Sequence, residues 1–139
     1  MQQEISFQIS EGLRLRLTPE EKKRLARSTT ESSDAYRHYL RGRYYWNKFS
    51  PDGFTRAVEC FQAAIGVDPK YALAWSGLGD AYGTMGYYGI IPTQQAMANA
   101  RVAALKAHEL DPDLPEAHVT MALTHVLADW NWADAEKEF

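Results

Sequence analysis

Apolar residues recur at helical spacing along most of this chain, and the breaks between them fall at recognisable caps. Ile5, Ile9 and Leu13 lie four apart, which predicts an amphipathic helix near the start. Leu13-Arg14-Leu15-Arg16-Leu17 then alternates as a strand would, so the end of that segment is open between the two forms. Thr18-Pro19-Glu20-Glu21 is a helix start, with Thr as N-cap, Pro in the first position and Glu three residues after the cap. A short basic helix from Pro19 to about Arg27 follows from it. The polar run Ser28 to Ser33 is a break, with Ser33 as the cap of a helix from Asp34 to about Phe49. Ser50-Pro51-Asp52 opens the next, whose inner face carries Ala57, Phe61, Ala64 and Ile65. Further helices are predicted from Lys70 to about Met85, from Thr93 to Leu110 and from Pro115 to about Ala128. A last one runs from Trp132 to Phe139, capped by Asn131. Between Met85 and Thr93 the chain reads Gly86-Tyr87-Tyr88-Gly89-Ile90-Ile91-Pro92, an apolar loop.

The helix from Lys70 holds the sharpest pattern. Trp75, Leu78, Gly79 and Tyr82 fall on one face. A mid-helix Gly costs about 1 kcal/mol relative to Ala, so Gly79 marks a close crossing, expected with the next helix in sequence. W-x-x-L-G-x-x-Y, with a Pro six residues before its Trp, resembles the tetratricopeptide repeat. On that resemblance, the preceding unit reads Gly42, Tyr45, Ala57, Phe61, Ala64, Pro69, with three extra residues between its helices. The unit of Trp75 closes through Ala100, Ala104, Ala107 and Pro112 after about nine extra residues. A third passes Met121, Ala122 and His125 to Ala135 and Phe139. The resemblance implies an all-α fold, a right-handed superhelix of antiparallel helix pairs. Residues 1–33 form a helical extension, and repeats lie at about 35–70, 71–113 and 114–139, the last cut inside its second helix. His38 stands at the Trp position and Arg41 at the Leu position of the first unit, which loosens its register. The alanines at 96, 98, 100, 103, 104 and 107 are expected to let neighbouring helices approach.

The opening segment through Lys22-Lys23-Arg24-Leu25, leading into Tyr39-Leu40-Arg41-Gly42-Arg43, also resembles the carboxy-terminal regions of large bacterial regulatory proteins. In those, tetratricopeptide repeats follow a nucleotide cyclase, a Ser/Thr kinase or a winged-helix module. The chain is expected to be a segment of something longer.

Composition narrows the functions. An apolar fraction of 45% with 24% charged residues fits a folded chain. There is no apolar run of 18 residues and no basic-start leader, so membrane insertion is not expected and a cytoplasmic location is. Cys60 is alone and reads as a packing residue. The four histidines show no i,i+4 pair, Gly77 to Gly83 has the wrong spacing for a dinucleotide loop, and no nucleophile motif occurs. No enzyme, cofactor or metal site is therefore expected. Residues 1–50 carry 10 Lys and Arg against 6 Asp and Glu, and residues 51–139 carry 5 against 12. Basic residues among Tyr36, Tyr39, Tyr44, Tyr45 and Trp46 are a mixture that suits nucleic acid. A pI near 5.8 disfavours it.

What remains is binding to protein or peptide. The resemblance places groove-facing positions at Tyr36, Tyr39, Arg43, Trp46 and Asn47 in the first unit. In the second they are Leu73, Ser76, Asp80, Gly83 and Thr84, and in the third Glu116, Val119, Leu123, Val126 and Leu127. Aromatic and cationic at one end, aliphatic at the other, this set suits an extended peptide, with Tyr39, Arg43 and Trp46 as anchors; the rival expectation is that these three pack against the N-terminal helix. Tyr87, Tyr88, Ile90 and Ile91 are expected either to fold back as local core or to form a binding knob. Two alternatives stand beside the scaffold. One is a ligand-sensing segment of a multidomain signalling enzyme or transcription regulator, with its pocket closed by that loop. The other is an oligomerisation element using the apolar end near Phe139.

Overall fold

The computed structural model describes residues 18–128 of the chain. Among them are six helices and no strand: α1 (Pro19–Ser28), α2 (Ser33–Trp46), α3 (Pro51–Val67), α4 (Ala72–Tyr87), α5 (Thr93–Leu110) and α6 (Pro115–Ala128). The all-α expectation holds for these residues. The predicted helix of Ile5 to Leu13 with its strand-like tail, the final helix from Trp132 and the apolar end at Phe139 lie outside the described residues.

The local signals explain most boundaries. Thr18 and Glu21 form a reciprocal capping box, the Thr18 amide donating to Glu21 Oε2 at 2.7 Å and the Glu21 amide to Thr18 Oγ1 at 3.2 Å. Ser50 accepts from the Gly53 amide at 3.1 Å and Pro51 follows it, as expected. The cap of α2 is Ser32 and not Ser33: the Ser32 hydroxyl accepts from the Ala35 amide at 3.2 Å. Two adjacent serines offer the same chemistry; Ser32 is the half-buried one and Ser33 is exposed. α2 stops at Trp46, three residues early, because Phe49 takes a positive φ of 50°. α4 runs two residues past the expected end and closes in a Schellman motif. The Ile90 amide reaches Met85 O at 2.8 Å and the Gly89 amide reaches Gly86 O at 3.2 Å, with Gly89 at φ +67°.

Each of α2 to α5 packs on the helix that follows it, and α2 on α4 and α4 on α6 as well. Joined by connections of four or five residues, successive partners must run in opposite directions. Phe61 of α3 is fully buried and sits where α2 and α4 are bare: a β-carbon on Gly42 or on Gly77 would come within 2.6 Å of its ring. Ala57, Leu78, Ala81 and Ala103 complete that cluster, and Tyr71 with Ala35, Ala64 and Ala74 forms a neighbouring one. Gly79 does mark a close crossing. A β-carbon there would meet Ala100 O of α5 at 3.3 Å, but the nearest atom is Thr120 Cγ2 of α6 at 2.9 Å. The expected neighbour was the next helix, and the tightest one is the helix after it. On α5, Ala96, Ala100, Ala103, Ala104 and Ala107 are buried as expected, while Ala98 points outward.

One turn is built twice. Asp68 and Asp111 end α3 and α5, and the Oδ1 atom of each accepts the amide two residues on, from Lys70 at 3.1 Å and Asp113 at 3.2 Å. The following Pro carbonyl then receives a ring N–H six residues later, Trp75 Nε1 to Pro69 O and His118 Nε2 to Pro112 O, both at 2.9 Å. His118 thus occupies in the later hairpin the place that Trp75 holds in the earlier one.

Candidate functional site

A cleft of about 360 Å³ opens where α2, α4, α5 and α6 meet the Tyr87-Tyr88 turn. Trp46 and Phe49 form one wall, and Val119, Leu123 and Leu127 of α6 the other. Met97 and Ala100 of α5 lie along it, and Asp80, Gly83 and Thr84 of α4 run between the two walls. Rings continue around the mouth. Phe49 meets Trp46, Phe54 and Tyr88 edge-on at 5.5 to 6.3 Å, and Tyr88 stacks on Phe54 with an interplanar angle of 9°. Tyr87 and Tyr88 are 67% and 56% exposed, so they edge the cleft without sealing it.

Asp80 is the one charged residue in that lining. Its Oδ1 accepts from Thr120 Oγ1 at 2.6 Å, while its Oδ2 lies 3.9 Å from Arg43 Nη1, too long for a hydrogen bond. Burial is the largest influence on it and pushes the carboxyl up from its ordinary value to about 6. The Thr120 hydrogen bond and the Arg43 charge oppose that rise, and the Glu116 charge adds to it. Arg43 itself lies over the Trp46 ring, 5.0 Å from its centre. Trp46 Nε1 is buried without an acceptor, an unmet donor in the wall.

Of the residues expected to face a groove, Trp46, Asp80, Gly83, Thr84, Val119, Leu123 and Leu127 are brought together here, and Arg43 stands beside them. Others go elsewhere. Tyr39 packs between Phe61 and Tyr71, at 5.8 and 5.3 Å between ring centres, and burial raises its phenol pKa. The rival expectation, that Tyr39, Arg43 and Trp46 pack on the first predicted helix, falls on residues outside the described ones. Ser76 is only 1% exposed and is closed to any partner, and Leu73 packs on the buried clusters. Tyr36, Asn47 and Glu116 are exposed but line no part of the cleft, and Val126 does not line it either. Ile90 and Ile91 are half-buried behind the turn, which splits the expected knob: the tyrosines edge the cleft and the isoleucines do not.

Sequence reasoning missed Phe49, Met97, Thr120 and Thr124. Phe49 stands at the expected end of a helix, and Met97 lies on a back helix that repeat positions do not consider. Thr120 and Thr124, four apart on an otherwise apolar stretch, were a legible signal, and both are buried. The structure also joins His108 and His118, ring centres 5.0 Å apart, although ten residues separate them. Among the described residues no group of three or more His, Cys, Asp or Glu could hold a metal. No helix among them is long and apolar enough to cross a membrane.

Over 100 residues, 72% of its length, the chain is 29% identical to the transcriptional regulator HilA of Salmonella typhimurium. The same identity over the same length relates it to the HilA proteins of Salmonella typhi and Salmonella paratyphi A. The chain spans 18% of those relatives. No family model matches it and no solved structure matches it significantly. The similarity is therefore to one part of a much longer regulator.

Proposed function

We propose that this chain is an interaction segment of a regulatory protein, a tetratricopeptide-type array that docks a stretch of partner polypeptide in the cleft beside Asp80. The observation that carries the reading is the composition of that cleft. Alternate helices α2, α4 and α6 each contribute residues to it, as the front helices of such an array would. The doubled Asp-Pro turn, with Trp75 and His118 in matching places, supports a repeating unit. The partial similarity to a transcriptional regulator supports a regulatory setting. Tyr87 and Tyr88 leave the cleft open, which favours an extended polypeptide over an enclosed small ligand.

A nucleic-acid interface has less support at the basic, aromatic surface of α2. There Lys48 lies over Tyr44 and Tyr45, Arg56 over Tyr45 and Arg43 over Trp46, so the cations already cover the rings that bases would stack on. The test is amide-shift mapping on the 139-residue chain, titrated with dodecapeptides selected on it by phage display and, separately, with duplex DNA. Shifts concentrated at Thr84, Tyr88, Val119 and Leu123 with peptide are expected. Peptide shifts that spare these residues, or DNA shifts alone, would refute the docking reading.

A further inference from the structure

We propose that the docked polypeptide places a lysine or arginine side chain in this cleft, its cationic head against Asp80 and its alkyl stem between the apolar walls. The inference rests on the docking reading and specifies the chemistry of the guest. Asp80 has one oxygen engaged by Thr120 and a second that meets only the distant Arg43, whose own head is drawn over Trp46. An acceptor with spare capacity therefore sits in a cleft whose other lining residues are uncharged. A neutral or anionic guest would cover that carboxylate without pairing it, which is unfavourable in proportion to the water it displaces. A cation removes the penalty and strengthens the pairing as water leaves.

The surrounding charges agree in sign. Asp80 and Glu116 act on this corner as two acids against the one guanidinium of Arg43. The walls fit the rest of such a side chain. Lysine and arginine carry three or four methylenes before the charge, and Val119, Leu123 and Met97 give that stem apolar cover. Phe49, Tyr87 and Tyr88 at the mouth offer ring faces to a cation as it enters. A purely structural role for Asp80 is a weaker account. The Thr120 hydroxyl also lies 3.0 Å from Glu116 O on its own helix, so Thr120 has an acceptor without Asp80.

The selected dodecapeptides decide the matter. They should be enriched in a basic residue flanked by apolar ones. Replacing that residue by norleucine, or the protein's Asp80 by Asn, should each weaken binding by roughly tenfold or more. D80N should remain folded by circular dichroism with an unfolding midpoint no lower than the parent's, so its loss of affinity cannot be a loss of structure. Peptides that map to the cleft but show no basic preference, or that bind D80N as well as the parent, would overturn the cation while leaving the docking reading intact. Failure to select any peptide would remove both. n-Butylammonium chloride, tested as competitor, should act only at concentrations far above the peptide's. Equal potency would show that a free amine, and not a polypeptide, is the guest.

Discussion

Asp80 carries a charge where the fold disfavours one. Its folded pKa, about 6, lies above the ordinary 3.8, so between those values the native chain binds more proton than the unfolded chain does. The stability attached to this group is fully present below pH 3.8 and is lost as pH rises through 6. At pH 7.5 the ionised carboxylate therefore destabilises the protein, with about 3 kcal/mol as an upper bound at 1.36 kcal/mol per unit. Asp80→Asn keeps an acceptor for Thr120 and sheds the charge. Urea unfolding should show it more stable than the parent by about 1 to 3 kcal/mol at pH 7.5, with the gain gone by pH 4. A constant difference across that range would mean that burial of the charge is not its source. Stability forgone at a single residue in an open cleft is the trade expected where a site serves binding. The repeat resemblance marked this position as groove-facing, and that much was legible in sequence. Its environment was not, because Thr120 and Arg43 reach it from helices 40 and 37 residues away.

The turns at the ends of α3 and α5 show how much an element can be read from its own residues. Pro69 and Pro112 announced the ends of both helices, and the first-turn Pro of α3 and the capping box of α1 announced their starts. What local sequence does not carry is the ring N–H that returns to each prolyl carbonyl, since a Trp and a His share that property and little else. Trp75→Phe and His118→Phe each keep a ring and remove the donor. Each should lower stability by about 1 kcal/mol, read as a shift in urea midpoint with unchanged slope, because a net hydrogen bond is worth about that much. A Trp75→Phe effect near zero would make the 2.9 Å contact incidental. The far end of α4 escaped the sequence reading for a different reason: Gly86, Tyr87 and Tyr88 look like loop, and only the pairing of Ile90 with Met85 carries the helix two residues further.

At the scale of the molecule, helices pack on their neighbours in sequence and next to neighbours, so cohesion is spread along the chain and has no single centre. Phe61 comes nearest to an exception because it touches bare backbone on both α2 and α4. Phe61→Ala should lower stability by about 3 to 5 kcal/mol. Amide exchange should quicken across α2, α3 and α4 together while α6 changes least. Uniform quickening from Pro19 to Ala128 would point to all-or-none unfolding of the six helices instead. The order of helices was readable from periodicity and caps. The cleft was readable only in part, because repeat positions name front helices and say nothing of Met97 or of a phenylalanine that turns back at a positive φ.

Trp46 is the wall residue with the most to report. Its indole lies beneath a guanidinium and beside a void, with its N–H unmet, so its emission is sensitive to whatever displaces water or moves Arg43. Comparing the parent with Trp46→Phe would isolate that signal from the other three tryptophans. Occupancy can then be followed by light alone, with no dye attached to the chain.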